Sequence, residues 1–364
     1  MDHKGRQRRL REALAAHRLD LLLVSYPPNL RYLCGFTGSA GVLLLGEKGS
    51  VFFTDGRYTA QARAEVQGAR RVIARKAPLA AAAEWLKGHK SFAGRGTVKV
   101  GIEAEHLMVA DHQRLQAAMG ADFRLRRAPA LVEQARMVKD ASEIERLRAA
   151  ARLGDQLFVR AAEVLKAGVA ECEVAAEMEF TARKLGAESM SFPTIIASGA
   201  RSALPHGRAS QAEIPAKGFV VCDFGVILTG YCSDMTRTVY VGSPEPEAQR
   251  LYSAVQEAQQ AALDAIKPGQ TTSEVDSAAR KRLRRAGLGR YFSHSTGHGV
   301  GLEIHEAPRV AAGQTEVLRP GMVITVEPGV YLPGRWGVRI EDTVVVTEQG
   351  CEILTHTSKE LITI

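Results

Sequence analysis

Up to residue 130, short apolar runs alternate with segments of helical spacing, the texture of α/β units. Residues 19–25, 40–46, 50–55 and 97–103 read as strands, and the alanine-rich segments 58–66 and 80–87 read as helices. Beyond Ala128-Pro129-Ala130 the spacing lengthens into amphipathic helices, which predicts a domain of residues 1–130 followed by one of residues 131–364. Ser142 and Glu145 stand in capping-box positions ahead of a helix reaching about residue 166, where Gly168 ends the run. A second helix is expected over 171–185. Residues 219–241 are β-rich with a turn signal at Thr229-Gly230 and read as one hairpin. Helices over 247–266 and 273–286, a loop rich in glycine and histidine, and strands at 321–326 and 337–346 complete the pattern.

Composition narrows the class. The 364 residues carry 48 Lys+Arg and 40 Asp+Glu, a formal charge of +8, with 45% hydrophobic and 24% charged residues, which excludes a disordered, collagen-like or coiled-coil chain. The five cysteines are scattered without CxxC spacing, so neither a disulfide framework nor a thiolate zinc site is suggested, and a reducing compartment fits. The amino-terminal residues are charged and lack an apolar signal region, and no apolar run approaches the ~20 residues of a membrane helix. A cytoplasmic protein without membrane partners is expected. The basic run at 281–290 continues a helical pattern (Val275, Ala278, Leu283), so it reads as a solvated helix face and not as a nucleic-acid site.

Polar residues inside apolar strands are the informative positions, because a buried carboxylate is costly unless something pairs with it. Asp223 interrupts Phe219-Val-Val-Cys, Asp234 follows Tyr231-Cys-Ser, Glu327 ends Met322-Val-Ile-Thr-Val, and Glu341 follows Val338-Arg-Ile. Asp223 and Asp234 fall across the predicted hairpin and are expected on adjacent strands; Glu327 and Glu341 fall on two later strands. Each alone passes for an edge-strand acid or salt-bridge partner. Together they would repel one another and stay largely protonated, whereas two divalent ions balance the four charges. His206 in Leu-Pro-His-Gly and the cluster His294, His298 and His305 add imidazoles suited to metal ligation, proton transfer or hydrogen bonding. Rival motifs fail: Gly297-His-Gly-Val-Gly301 is not GxGxxG, His305-Glu306-Ala307-Pro308 is not HExxH, and no GxSxG elbow is present. Cys222 and Cys232 flank the aspartates but are better read as packing than as nucleophiles.

Asp223, Asp234, His298, Glu327 and Glu341 stand in the contexts Asp-Phe-Gly, Ser-Asp-Met-Thr-Arg, Gly-His-Gly-Val-Gly-Leu, Glu-Pro-Gly and Arg-Ile-Glu-Asp-Thr. The set resembles the dinuclear metallopeptidases of the pita-bread fold, and among them the two-domain proline-specific members, prolidase (Xaa-Pro dipeptidase) and aminopeptidase P. Asn29-Leu-Arg-Tyr-Leu-Cys-Gly-Phe-Thr-Gly-Ser39 and Thr54-Asp-Gly-Arg-Tyr58 are similar to that family's creatinase-like first domain, which methionine aminopeptidases lack. The resemblance spans essentially the whole chain. It implies an α/β (α+β) protein with a small creatinase-like amino-terminal domain followed by a pita-bread catalytic domain.

The resemblance further implies two divalent ions per subunit, Mn²⁺ foremost with Co²⁺ or Zn²⁺ as substitutes. Asp223 would chelate one, Asp234 and Glu341 would bridge both, and His298 and Glu327 would complete the second. His206, His294 and His305 are implied in substrate binding and transition-state hydrogen bonding, Arg339 in orienting charge near the substrate, and Glu327 in carrying the proton from a metal-bridged water to the leaving proline nitrogen. The expected reaction is hydrolysis of Xaa-Pro bonds by a homodimer acting on peptides with proline second. Dipeptidase is favoured over aminopeptidase P, with Arg31, Arg57 and Arg339 as candidate partners of the substrate carboxylate. A non-catalytic binding protein of the same fold and a creatinase-type enzyme are the competing readings, and the intact ligand set argues against both.

Overall fold

The structure, a computed structural model, describes residues 1–89 and 96–364, and the chain divides into two compact units, Met1–Arg136 and Met137–Ile364. The first unit runs α1 (His3–Ala16), β1 (Leu21–Val24), α2 (Pro27–Cys34), β2 (Val42–Gly46), β3 (Gly49–Asp55), α3 (Thr59–Glu65), β4 (Arg70–Ala74), α4 (Pro78–Gly88), β5 (Val98–Glu103), α5 (Val109–Met119), β6 (Phe123–Ala128) and α6 (Leu131–Met137). Its strands form one mixed sheet in the order β4-β3-β2-β1-β5-β6. β1 and β2 are unbroken apolar runs because every residue in them is buried. Leu86, Leu115 and Met119 pack with Leu21, Leu23, Leu44 and Val100 in the core.

The four strands read from the first part of the sequence are all present, and β4, β6, α1, α2 and α5 are additional. β4 opens on the exposed pair Arg70 and Arg71 at the sheet edge, where charge protects against unwanted pairing and hides the apolar signal. The inward face of α1 is half polar. Arg6 Nη1 donates to the Tyr32 carbonyl at 3.1 Å and Gln7 Nε2 to the Leu33 carbonyl at 2.9 Å, so the helix buries side chains that a hydrophobic pattern does not reveal.

The second unit runs α7 (Ala141–Val164), α8 (Glu171–Lys184), β7 (Ser189–Met190), β8 (Ile195–Ser198), β9 (Gly218–Phe224), β10 (Val226–Leu228), β11 (Tyr231–Cys232), β12 (Met235–Val241), α9 (Pro246–Asp264), α10 (Thr272–Arg285), β13 (Gly297–Gly299), β14 (Glu306–Val310), β15 (Val323–Val326), β16 (Gly329–Leu332), β17 (Trp336–Arg339), β18 (Asp342–Val346) and β19 (Cys351–Ile353). α7 begins earlier than Ser142 and Glu145 suggest. Asp140 is its N-cap, accepting the Glu143 amide at 3.0 Å while the Glu143 carboxylate accepts the Asp140 amide at 3.0 Å. Ser142 instead donates to Asp140, and Glu145 pairs with Arg148 and Arg152. On α10, Lys281, Arg284 and Arg285 are exposed and Arg282 pairs with Glu257. No helix among the described residues is long and apolar enough to cross a membrane.

The predicted hairpin is interrupted. β9 pairs antiparallel with β12 from Gly218↔Val241 to Phe224↔Met235, while β10 and β11 form a separate tip that joins β7. Thr229 and Gly230 turn that tip with φ of 48° and 85°. The break falls at Gly225, where a Cβ atom would lie 1.8 Å from the Ser233 carbonyl oxygen, so the chain bends where only glycine fits. Asp223 therefore pairs with Thr236, and Asp234 sits in the link between β11 and β12 and not on a strand. The stretch 337–346 is likewise divided, into β17 and β18, with Ile340 and Glu341 between them.

Two helix pairs cover the strands, each on its own apolar core. α7 and α8 pack Leu157, Val174 and Met178 against Cys222, Phe224 and Val239; α9 and α10 pack Val255, Val275 and Leu283 in the core that holds Phe219, Ile324 and Val344. Alternation along β9 sends Val220, Cys222 and Phe224 into the first core and leaves Phe219 and Asp223 on the opposite face. Isolated pairing of Thr236 with Glu341 joins β12 to the later strands.

Candidate active site

A cavity of about 540 Å³ in the second unit is lined by His206, Asp223, Asp234, His294, His298, His305, Glu327, Arg339 and Glu341, so the expected ligands, histidines and Arg339 border one space, while Arg31 and Arg57, the other candidates for the substrate carboxylate, are not in its lining. Its volume lies in the roughly 300 to 1,000 Å³ range of small-molecule sites. Phe192, Pro193, Ile195, Pro205 and Ile304 supply apolar wall. Three of the four acids stand where a strand is interrupted: Asp234 before β12, Glu327 just after β15, and Glu341 between β17 and β18. Leaving the ladder there frees each carboxylate to turn toward the common centre.

His298 lies on the short strand β13, inside the stretch that the sequence presented as a loop. Its Nδ1 is 2.9 Å from the Gly299 carbonyl, which places the ring proton there and turns the Nε2 lone pair inward, 3.5 Å from Asp234 Oδ2 and 3.5 Å from Glu327 Oε1. Donor atoms of Asp234, His298 and Glu341 lie within 4.8 Å of one another. Thr236 donates to Glu341 Oε2 at 2.6 Å, and Thr325 accepts the His298 amide at 3.1 Å while donating to Glu327 at 3.4 Å.

Arg339 is the cation of this cluster, and its donors are committed to the protein. Nη2 contacts Asp223 Oδ2, Nη1 donates to Tyr331 Oη at 2.6 Å and to the Pro205 carbonyl at 3.0 Å, and Nε donates to Thr236 at 3.2 Å. Tyr331 Oη also lies 2.9 Å from His294 Nε2, whose Nδ1 is 2.8 Å from the Ser295 carbonyl. The proton order is then fixed: Nδ1–H faces Ser295, and Tyr331 donates to Nε2. His294 and Arg339 line the cavity with their polar atoms engaged by the protein. His206 and His305 are the exposed imidazoles, and the His305 ring stands 4.3 Å from that of His298.

Ionised together, the four clustered carboxylates would outnumber the buried Arg339 guanidinium by three charges, and the protonation equilibria register it. Burial, reinforced by Glu341, Asp223 and Glu327, holds Asp234 well above the usual carboxylate range. Burial together with Glu327 and Asp223 does the same to Glu341, and burial pushes Glu327 up to about 8. Burial also holds His294 and His298 down to about 4, so both are neutral bases at pH 7. Buried acids that resist ionisation, gathered around an oriented neutral imidazole, are a donor set that divalent cations fit: they supply the missing positive charge, and oxygen ligands with one nitrogen suit hard-to-borderline ions.

Residues 145–348 match the model of metallopeptidase family M24. The chain belongs to metallopeptidase family M24. Residues 6–138 match the creatinase/prolidase N-terminal domain, so the M24 chain pairs a creatinase-like α/β domain with a pita-bread catalytic domain. It is 38% identical over 353 residues to an Xaa-Pro dipeptidase of Pyrococcus horikoshii, covering 96% of this chain and 97% of that one. Among solved structures it is similar to an Xaa-Pro dipeptidase from Bacillus anthracis (TM-score 0.93, 41% identity, all of both chains). It is also similar to an X-Pro aminopeptidase from Thermotoga maritima (TM-score 0.90, 37% identity, 99% of this chain and all of that one). Members of the M24 family bind divalent metal, as the donor set of this chain fits.

Several residues of the M24 site were not singled out in the sequence. Thr236, Thr325 and Tyr331 look like ordinary strand residues until the partners they orient are known. Arg208 and Arg309 line the cavity, and neither guanidinium has an ion-pair partner among the described residues. Arg57, considered for the substrate carboxylate, pairs with Asp55 at 2.8 Å within the first unit. Glu306, also on the cavity wall, pairs with the buried Lys139 at 3.4 Å.

Proposed function

We propose that this chain is a metal-dependent exopeptidase that cleaves Xaa-Pro dipeptides, carried by one observation: all five expected ligands and the exposed pair His206 and His305 border a single cavity. Asp223, Asp234, His298, Glu327 and Glu341 hold two divalent ions, with Mn²⁺ favoured by an oxygen-dominated set with one imidazole. When bound, the ions acidify water and polarise the scissile carbonyl. Glu327 accepts the proton of the attacking water and passes it to the proline nitrogen as that nitrogen leaves. An Xaa-Pro bond has no N–H to offer an acceptor on the enzyme, and its nitrogen, like that of any peptide bond, leaves only once protonated, with the proton that Glu327 carries.

His206 and His305 hydrogen-bond the peptide and the oxyanion as it develops. His305 is held below the ordinary histidine value, by burial first and then by His206, so it enters the reaction neutral at pH 7. Arg339 orients Asp223, and the Tyr331–His294 pair fixes Arg339. Arg208 and Arg309 supply unpaired cations for the carboxylate of a dipeptide, which supports dipeptidase over aminopeptidase. The relatives named as Xaa-Pro dipeptidases support the same choice.

In this reading residues 1–130 form the creatinase-like domain and residues 131–364 the catalytic one, in a cytoplasmic homodimer whose mass light scattering would measure. The deciding assay compares release of the first residue from Ala-Pro and from Ala-Pro peptides of increasing length, with Mn²⁺ added. Fastest turnover on the dipeptide is expected. Faster turnover on longer peptides establishes an aminopeptidase, and no turnover on either class overturns the proposal.

A further inference from the structure

Glu171, the first residue of α8, is fully buried yet lies outside the lining of the cavity. Its carboxylate is satisfied from one segment of chain. Oε1 accepts the Ser198 amide at 2.8 Å and the Ser198 hydroxyl at 2.9 Å; Oε2 accepts the Ser210 hydroxyl at 2.7 Å and the Ser210 amide at 3.2 Å. Arg201 Nε donates to both oxygens, at 3.2 and 3.0 Å. The start of α8 adds two backbone bonds, from the Glu171 amide to the Ala212 carbonyl at 3.0 Å and from the Cys172 amide to the Ser210 carbonyl at 2.9 Å. One carboxylate thus pins both ends of the segment 198–210, and Arg201 Nη2 holds its far side through the Arg208 carbonyl at 2.8 Å.

That segment supplies the cavity with His206 and Arg208, and its Pro205 carbonyl accepts Arg339 Nη1 at 3.0 Å. Ser202, within the same span, accepts the Gly337 amide at 2.8 Å, two residues before Arg339. The core side of α8 is made by Val174, Ala175, Met178 and Ala182, so helix packing does not depend on the carboxylate. We propose that Glu171 is a positioning residue for the hydrolysis, a clasp that sets the segment 198–210 so that His206 meets the peptide. The proposal rests on the peptidase reading for its kinetic consequence and on the geometry alone for its structural one.

Glu171→Gln keeps the shape but exchanges one acceptor oxygen for a donor, which must face donors at Ser198 or Ser210. The experiment measures kcat and KM on Ala-Pro for the Mn²⁺-loaded full-length protein, E171Q, His206→Ala and the double variant, with hydrogen exchange of the metal-free proteins by mass spectrometry. A loss in kcat/KM of about tenfold is expected for E171Q in the native background, and of less than about twofold in the His206→Ala background, because the clasp acts through that histidine. Amides of residues 198–210 should exchange about tenfold faster while those of α9 and α10 stay unchanged. Multiplying single effects, or native exchange in the segment, overturn the clasp. Absence of turnover by the native protein rejects the peptidase reading and leaves the exchange result to decide the clasp. Should E171Q fail to fold, Ser210→Ala removes the 2.7 Å contact and enters the same comparison.

Discussion

Removing divalent ions from the acid cluster should make the stability of the protein fall as pH rises from 6.5 to 8. Without an ion the folded chain holds Glu327 up to about 8, chiefly by burial, and Asp234 and Glu341 well above their ordinary range, whereas the unfolded chain ionises all three near its ordinary carboxylate values. In that window the folded state keeps protons that the unfolded state has released, so the raised groups stabilise at low pH and lose their contribution as pH climbs through the folded values. Each retained proton gives a slope of about 1.4 kcal/mol per pH unit. One to two shared protons therefore remove roughly 2 to 4 kcal/mol between pH 6.5 and 8. Below pH 6.5 the opposite trend enters, because His294 and His298 are held down to about 4 and refuse protons that the unfolded chain accepts. With Mn²⁺ bound, the carboxylates are ionised in both states and the decline above pH 6.5 should disappear. Urea unfolding of chelator-treated and Mn²⁺-saturated protein at half-unit steps measures both slopes. An unfolding free energy of the metal-free protein that is level or rising across this window refutes the reasoning, as does an equal decline in the two forms.

Tyr331→Phe removes the oxygen that Arg339 donates to and the donor to His294; a stability loss of about 1 to 3 kcal/mol and weaker Mn²⁺ binding are expected, read by urea unfolding and titration calorimetry. Arg237 and Asp342 form a buried pair at 2.8 Å behind Glu341, joined by Gln259, Lys359 and Thr355. Arg237→Met or Asp342→Leu alone should destabilise by about 3 to 5 kcal/mol, and the two combined by less than their sum. Asp234→Ala and Glu341→Ala should each abolish metal-dependent turnover while keeping native circular dichroism. Cys34, Cys222 and Cys232 are thiols that burial pushes up to about 12, so iodoacetamide should spare all three in the folded protein and modify them in urea, as mass spectrometry would show.

The site was legible where the sequence breaks its own rule. Asp223, Asp234, Glu327 and Glu341 interrupt apolar runs, and an acid in such a place needs a compensating partner. Their local placement was not legible, because the bend at Gly225 comes from close approach to the Ser233 carbonyl, which no hydrophobic pattern encodes, and the break at Ile340-Glu341 from pairing with Thr236, distant in sequence. His298 was found as part of a histidine cluster, but its strand is only three residues long and takes its form from pairing with β14 and β15. Tyr331, Thr236 and Glu171 left no signal: a hydroxyl in a strand and a glutamate in a first helical turn are common residues in common positions. Among the elements, α1 escaped because its buried face contains His3, Arg6 and Gln7, whose partners are backbone carbonyls of α2. β6 also went unread, although Phe123 and Leu125 inward with Arg124 and Arg126 outward give it a two-residue alternation.

The pairing of Thr236 with Glu341 brings together two halves of the second unit, up to β12 and from β13 on, whose strands also share a core in which Phe219 and Tyr240 pack with Ile324 and Val344. Asp223 and Asp234 come from one half; His298, Glu327 and Glu341 come from the other. Neither half owns a complete set of donors, so affinity for an ion becomes a property of their docking and not of either sequence segment. Captured metal then reports tertiary assembly, much as a split reporter signals only when its fragments meet, and a partly folded chain with one half in place has no site to offer.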